Sequence, residues 1–302
     1  MKSYLKIRYF LKRTYKKFFK PHKLNFPEIV SIELSTICNA KCKFCPHSKI
    51  MEKDKKRKIV MTEEVFKKIV NNLVGHPELK EIKPNLYNEP SVTPFLFERL
   101  RYIRTKIPNV SIKIVTNGAE LQPDKIDKLL NENLVDEINF SLDANNKETF
   151  EDFKQISWEK TINNLNYFIK KNNGIGHKVK VGVSFVHTIE NKGQLPGFKK
   201  RWKKKVDKFH IGSEVGLNRR GDYLKKNTSL PCMEPFNRLS FLSDGRAVMC
   251  CADAFGQVIV GDIKNKSVNE IWHGPVLEKI RQLHSSGNKR KIPLCSVCNE
   301  WG

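Results

Sequence analysis

From Glu28 onward, short runs rich in Val, Ile and Phe alternate with stretches whose apolar residues recur every three or four positions. The first pattern predicts strands at Glu28–Leu34, Glu81–Leu86, Ser111–Thr116, Asp136–Ser141, Val179–His187 and Lys208–Ile211. The second predicts helices at Thr62–Leu73, Pro94–Ile107, Pro123–Asn131, Trp158–Lys171 and Leu195–Lys205. Thr62 ahead of Glu63 and Glu64, and Pro123 followed by Asp124, are ordinary helix-start punctuation. Six strands alternating with helices imply an α/β fold with a parallel sheet and right-handed crossovers. Six units are two short of a closed eightfold barrel, so a partial (β/α)6 barrel is expected, with its chemistry at the carboxyl ends of the strands.

After Gly212 the pattern changes. Glu214–Leu230 contains Gly216, Asn218, Gly221 and Asn227 and keeps no period, which reads as a linker or a substrate-facing loop. Beyond Cys232, Arg238–Leu242 and Ala247–Cys250 flank Ser243-Asp244-Gly245 as a hairpin, and Val268–Trp272 and Val276–Leu283 are helical. The expected organisation is a segment 1–26, a barrel over 27–212 and a small C-terminal α+β unit over 213–302.

Composition narrows the class. A chain of 302 residues with 39% hydrophobic and 10% aromatic residues can bury a core, which excludes wholesale disorder and collagen-like repeats. No window is long and apolar enough to span a bilayer. The net charge is +24, and nine of the positive residues (Lys2, Lys6, Arg8, Lys12, Arg13, Lys16, Lys17, Lys20, Lys23) precede Phe26 with no acid among them. Tyr4, Ile7, Leu11, Tyr15 and Phe18 fall on one helical stripe, so residues 1–26 read as a basic amphipathic helix. Such a helix packs on its own domain, makes peripheral membrane contact or meets a partner. A secretory signal fits poorly, because charges interrupt the apolar stretch. The run Lys199, Lys200, Arg201, Lys203, Lys204 and Lys205 reads as a solvated face, and Arg219 and Arg220 as an exposed pair or as residues that bind a substrate anion or help remove a proton.

The eight cysteines fall in two groups with none between residues 46 and 231, which is metal-ligand behaviour rather than a disulfide framework. Cys38-x3-Cys42-x2-Cys45 supplies three thiolates in one loop. A structural zinc ion needs a fourth ligand, for which His47 is close in sequence; a four-iron cluster on three cysteines leaves one iron open. Cys232, Cys250, Cys295 and Cys298 supply four more thiolates, which suit tetrahedral zinc or a fully ligated iron–sulfur cluster. Cys251 is an additional cysteine, either an alternative ligand to Cys250 or a small buried hydrophobe.

The loop Cys38-Asn-Ala-Lys-Cys42-Lys-Phe-Cys45, with Phe44 before its last cysteine, resembles the signature of the radical S-adenosylmethionine superfamily. Tyr87-Asn88-Glu89-Pro90 is similar to that family's Gly-Gly-Glu-Pro motif, with Asn88 in place of the second glycine. The resemblance implies that Glu89 meets the methionine ammonium, and that Thr116-Asn117-Gly118 and the pair Ser141 and Asp143 lie near the carboxylate and ribose of the cofactor. Cys232-x12-Gly245-x4-Cys250 followed by Cys295-x2-Cys298 resembles the SPASM/twitch extension in its short form. The implied ligands are Cys38, Cys42 and Cys45 for a 4Fe-4S cluster that binds S-adenosylmethionine, and Cys232, Cys250, Cys295 and Cys298 for a second, auxiliary 4Fe-4S cluster.

The resemblance further implies reductive cleavage of S-adenosylmethionine to a 5′-deoxyadenosyl radical and abstraction of a substrate hydrogen, with a one-electron reductant such as flavodoxin or ferredoxin. Likeness in Val260-Gly261-Asp262 and Glu270-Ile271-Trp272-His273 is to the alcohol-oxidising dehydrogenases of this superfamily, which implies two-electron oxidation of a small alcohol or sugar-like substrate. Modification of a peptide or protein is the alternative within the superfamily. An alternative of another class is a zinc-stabilised basic module that binds RNA or anionic membrane. Nucleic acid is not the expected partner, because the aromatic-and-basic stacking signature is missing. Oxygen-sensitive clusters without disulfides point to the cytoplasm, including its membrane face.

Overall fold

The computed structural model describes residues 22–48, 59–213, 231–296 and 298. The basic segment up to residue 21 and the pair Arg219 and Arg220 lie outside the described residues. The first six strands are β1 (Ile29–Ile32), β2 (Glu81–Lys83), β3 (Ser111–Thr116), β4 (Glu137–Ser141), β5 (Lys180–His187) and β6 (Lys208–Ser213). The helices among them are α1 (Glu63–Leu73), α2 (Leu96–Lys106), α3 (Pro123–Asn131), α4 (Lys147–Lys154), α5 (Trp158–Gly174) and α6 (Leu195–Trp202). Each of these strands pairs in parallel with the next, as a partial barrel requires.

Alternation along the strands divides the sheet into two faces. Ile82, Ile112, Ile114, Ile138, Phe140, Val181 and Val183 are buried in one core with Phe66, Leu100, Leu129, Leu165 and Phe168 of the covering helices. The other face is polar. Glu137 pairs with Lys113 at 2.5 Å and also with Lys208, and it lies 3.6 Å from His210. These contacts pass over Gly182, where a side chain would come within 2.8 Å of the Asn139 Oδ1 and 3.3 Å of the His210 ring. Glu137 is 6% exposed, and its charge is offset by the two lysines it pairs with.

The C-terminal segment comprises α7 (Glu234–Asn237), β7 (Arg238–Phe241), β8 (Arg246–Val248), β9 (Ile259–Asp262), α8 (Val268–Trp272), α9 (Pro275–Ser285) and α10 (Pro293–Ser296). Its first strand does not stand apart: β7 pairs in parallel with β1, Ile29 opposite Arg238 and Ile32 opposite Phe241. One nine-stranded sheet results, in the order β6-β5-β4-β3-β2-β1-β7-β8-β9. The exposed edge that a partial barrel leaves at β1 is thereby covered.

Several elements differ from the sequence expectation, the one-turn helices α7 and α10 among them. Strand β2 stops at Lys83 rather than Leu86, because Pro84 has no N–H to donate and Asn85 instead turns its Oδ1 toward the Val115 N–H at 3.2 Å. Helix α4 and strand β9 were not anticipated; the first has only Phe150 and Phe153 as large apolar residues, and the second contains Gly261. Among the described residues no helix is long and apolar enough to cross a membrane.

Candidate active site

The first cysteine loop leaves β1 and is tied down at both ends. The Lys41 and Lys43 N–H groups donate to the Lys154 and Phe153 carbonyls at 3.1 and 3.0 Å, so the loop itself satisfies the exposed carbonyl end of α4. His47 Nε2 meets the Thr36 carbonyl at 2.7 Å, and Asn39 Oδ1 accepts from Asn117 Nδ2 at 2.8 Å. Burial pushes the Cys38 thiol up to about 12, with Glu89, Cys42 and Cys45 adding to the effect. Burial and then Cys42 push Cys45 up to about 11. Cys42 is raised chiefly by burial, against which Lys154 works. These are neighbouring, desolvated thiols whose ionised forms repel one another and which call for a metal's positive charge.

Strand ends two and three are laced together by Glu89. Its Oε1 accepts from the Ser91 N–H at 3.0 Å, the Ser91 hydroxyl at 2.7 Å and the Thr116 hydroxyl at 2.5 Å, and its Oε2 from the Asn117 N–H at 2.7 Å. Pro90 opens the short 3-10 turn that Glu89 caps. Asn88 stands where the family motif has glycine, and its side chain is put to use: Oδ1 accepts from the Leu86 N–H at 3.2 Å and Nδ2 donates to Thr93 Oγ1 at 2.8 Å. Gly118 has φ +78°, and a Cβ there would lie 2.7 Å from Phe140 Cδ1.

At the end of β4, Asp143 Oδ1 accepts from the Val186 N–H at 2.9 Å, and its Oδ2 accepts from the Ser141 hydroxyl at 2.9 Å and pairs with Lys154 at 2.7 Å. Burial opposes the charge on Lys154, but Asp143, Cys42 and Cys45 outweigh it and hold the ammonium protonated. The Nζ lies 5.6 Å from the centre of the Phe44 ring, which meets Phe153 edge-on at 6.0 Å. Lys154 is absent from the sequence-level candidates. The available signal was a lysine on the same buried helix face as Phe150, four positions earlier.

The second cysteine group is drawn in from three directions. Cys232 precedes α7, Cys250 follows β8, and Cys295 and Cys298 arrive from α10 and beyond it. Burial raises Cys232, with Cys295 and Cys298 adding; burial raises Cys250, with Cys251, Cys232 and Cys295 adding; burial and then Cys298 push Cys295 up to about 11. The backbone carbonyl of the adjacent Cys251 accepts from the Tyr87 hydroxyl. Burial raises the Tyr87 phenol, and Cys251, Cys250, Glu33 and Cys45 add to it. Tyr87 therefore sits between the two cysteine groups. His284 and Lys289, also missing from the sequence-level candidates, are both buried beside the second group.

Among the described residues no three His, Cys, Asp or Glu side chains are already closed to metal-ligand geometry. The donor sets nevertheless fit clusters in chemistry and placement: three half-buried thiols in the loop after β1, whose ionised forms repel one another, and four more near one another in the C-terminal segment.

Comparison with known proteins agrees with this arrangement. The curated S-adenosyl-L-methionine-dependent 2-deoxy-scyllo-inosamine dehydrogenase of Niallia circulans is 22% identical over 276 residues, covering 90% of this chain and 92% of that protein. The tungsten-containing aldehyde ferredoxin oxidoreductase cofactor-modifying protein of Pyrococcus furiosus is 31% identical over 172 residues, which is 55% of this chain and 45% of that protein. A crystal structure of BtrN in complex with AdoMet and 2-DOIA superposes with TM-score 0.58 at 20% identity, covering 92% of this chain and 94% of that one. Streptococcus suis SuiB superposes with TM-score 0.68 at 14% identity, covering 86% of this chain and 69% of that one. At these identities the superpositions establish the fold. Residues 232–299 match the SPASM iron-sulfur cluster-binding domain, whose cluster accompanies the one that works with S-adenosylmethionine. With residues 32–195 matching the Radical SAM superfamily, which is more than half its length, the chain belongs to that superfamily and is a radical S-adenosylmethionine enzyme.

Proposed function

We propose that the enzyme removes two electrons and two protons from a small hydroxylated substrate, oxidising an alcohol to a carbonyl. In this reading Cys38, Cys42 and Cys45 hold the cluster that binds S-adenosylmethionine, and Cys232, Cys250, Cys295 and Cys298 hold the auxiliary one. Residues 27–212 then form the radical core and 213–302 the linker and auxiliary unit. Phe44, Tyr87, Asn88, Glu89, Pro90, Thr116, Asn117, Gly118, Ser141 and Asp143 form the cofactor's surroundings. When bound, the cofactor supplies a 5′-deoxyadenosyl radical that takes one hydrogen atom from the substrate. The protein's part is to hold the substrate carbon toward that radical, exclude water and accept the remaining electron and proton.

The observation that carries the proposal is the convergence of Cys232, Cys250, Cys295 and Cys298. Four thiolates complete the ligation of a cluster, which then has no open iron for substrate and suits electron acceptance. The assignment takes Cys250 rather than Cys251 because Cys250 shares its surroundings with Cys232 and Cys295. The polar barrel face around Asn139, Lys208 and His210 supports a hydroxyl-rich substrate, as does the alcohol-oxidising relative from Niallia circulans. A peptide substrate is the second reading, supported by the likeness to SuiB, which has also been crystallised with its precursor peptide SuiA. The electron that starts the reaction comes from a flavodoxin- or ferredoxin-like donor; Phe26 is buried in the core and Lys23 pairs with Glu278, so peripheral contact with the cytoplasmic membrane face falls to the basic residues that precede them.

The test is anaerobic incubation of reconstituted enzyme with S-adenosylmethionine and a reductant, against cyclitols, aminocyclitols, sugar alcohols and short peptides. The proposal expects a product two hydrogens lighter from a hydroxylated substrate, matched by 5′-deoxyadenosine. Turnover confined to peptides contradicts it.

A further inference from the structure

His284 stands on α9 at the second cysteine group and is 1% exposed. Its two ring nitrogens have different partners. Nδ1 lies 3.1 Å from the Cys232 backbone nitrogen, and Nε2 lies 3.5 Å from Cys295 Sγ. A backbone N–H can only donate, so Nδ1 must be the acceptor and the neutral ring must carry its proton on Nε2. That N–H then points at the sulfur of Cys295. Phe236 meets the ring edge-on at 6.5 Å, which helps to fix its plane.

We infer that His284 is a positioning residue for the auxiliary cluster: held in one tautomer by Cys232, it donates an N–H···S hydrogen bond to the Cys295 thiolate and raises the cluster's reduction potential. The inference rests on the ligand set proposed above. A donor at a ligand sulfur stabilises the negative charge that an added electron places on the cluster, so it favours the reduced form. Two thiolate-bearing segments are also brought into register, because one imidazole bridges the backbone at Cys232 and the side chain at Cys295. An acceptor made easier to reduce is what oxidation of a substrate radical requires.

The experiment uses the full chain carrying Cys38→Ala, Cys42→Ala and Cys45→Ala, so that the auxiliary cluster is the one observed, with and without His284→Leu or His284→Gln. The readouts are iron content and an EPR-monitored redox titration, neither of which needs substrate. Leucine removes both hydrogen bonds and is expected to shift the one-electron reduction equilibrium about tenfold toward the oxidised cluster, a lowering of about 59 mV. Glutamine can accept from Cys232 and donate to Cys295 at once, and is expected to restore most of the shift. Unchanged potentials in both variants, with full iron content, overturn the role of His284 while leaving the ligand set intact. Loss of iron in His284→Leu with a normal potential in His284→Gln supports it, because glutamine keeps the bridge. Loss of iron in both variants overturns it in favour of His284 as an iron ligand. Absence of a four-iron cluster from the triple-alanine parent overturns the ligand set itself, and the inference with it.

Discussion

At the scale of single residues, the site is defined by side chains that have given up their freedom to one another. Glu89 accepts four hydrogen bonds from the ends of two loops, so Glu89→Gln places an NH2 among donors. We expect it to cost about 1–3 kcal/mol, read as a lowered melting temperature even without cofactor. Gly118 combines φ +78° with a 2.7 Å approach to the Phe140 ring, and Phe140 is fully buried. Gly118→Ala is expected to cost about 2–4 kcal/mol by denaturant titration, the sum of a strained backbone and an overpacked core. The cysteines could be read from spacing because their chemistry is local in sequence. Lys154 and His284 could not. Each is an ordinary residue type on a helix, and its partners, Asp143 with Cys42 and Cys232 with Cys295, are brought to it only by tertiary packing.

At the scale of elements, helix α4 depends on a buried ion pair rather than on propensity. Lys154 and Asp143 have side chains 2% and 0% exposed and stand 2.7 Å apart. Lys154→Met leaves Asp143 charged and buried without its counterion, for an expected loss of about 3–5 kcal/mol in chemical denaturation. The double variant Lys154→Met/Asp143→Asn is expected to recover part of that loss, since asparagine keeps the acceptor for Val186 and removes the stranded charge. Helix α8 is started by a capping box between Ser267 and Glu270, so Ser267→Ala is expected to cost about 1 kcal/mol. Elements with strong local signals were legible: β3 at Ser111–Thr116, with alternating burial, and α3 at Pro123–Asn131, opened by proline, lie where the pattern predicts. Helix α4 was not, because its sequence KETFEDFK has too few apolar positions to set a period, and β9 was not, because Gly261 interrupts a short run. Gly261 is there for space, since a Cβ would meet Ile271 at 2.6 Å.

At the scale of the whole molecule, the auxiliary unit is joined to the barrel through backbone. The β1–β7 pairing links residues more than 200 positions apart in the chain, and no local pattern could have announced it. It has a physical consequence: a chain ending at residue 213 exposes the β1 edge and uncovers Val30 and Ile32, which are fully buried in the intact protein. Such a fragment is expected to aggregate or to melt well below the full chain, as light scattering and circular dichroism would report. Tyr87 lies near cysteines of both groups, beside Cys250 and Cys251 on one hand and Cys45 on the other. The measurement that tests this account most directly is anaerobic iron and sulfide analysis of the reconstituted chain and of its Cys38/Cys42/Cys45 triple-alanine variant, with S-adenosylmethionine cleavage followed in parallel. The account predicts about eight irons in the intact chain and about four in the variant, with 5′-deoxyadenosine formed by the intact chain alone. Zinc in place of iron in the second group, or cleavage that survives loss of the three cysteines, would contradict it.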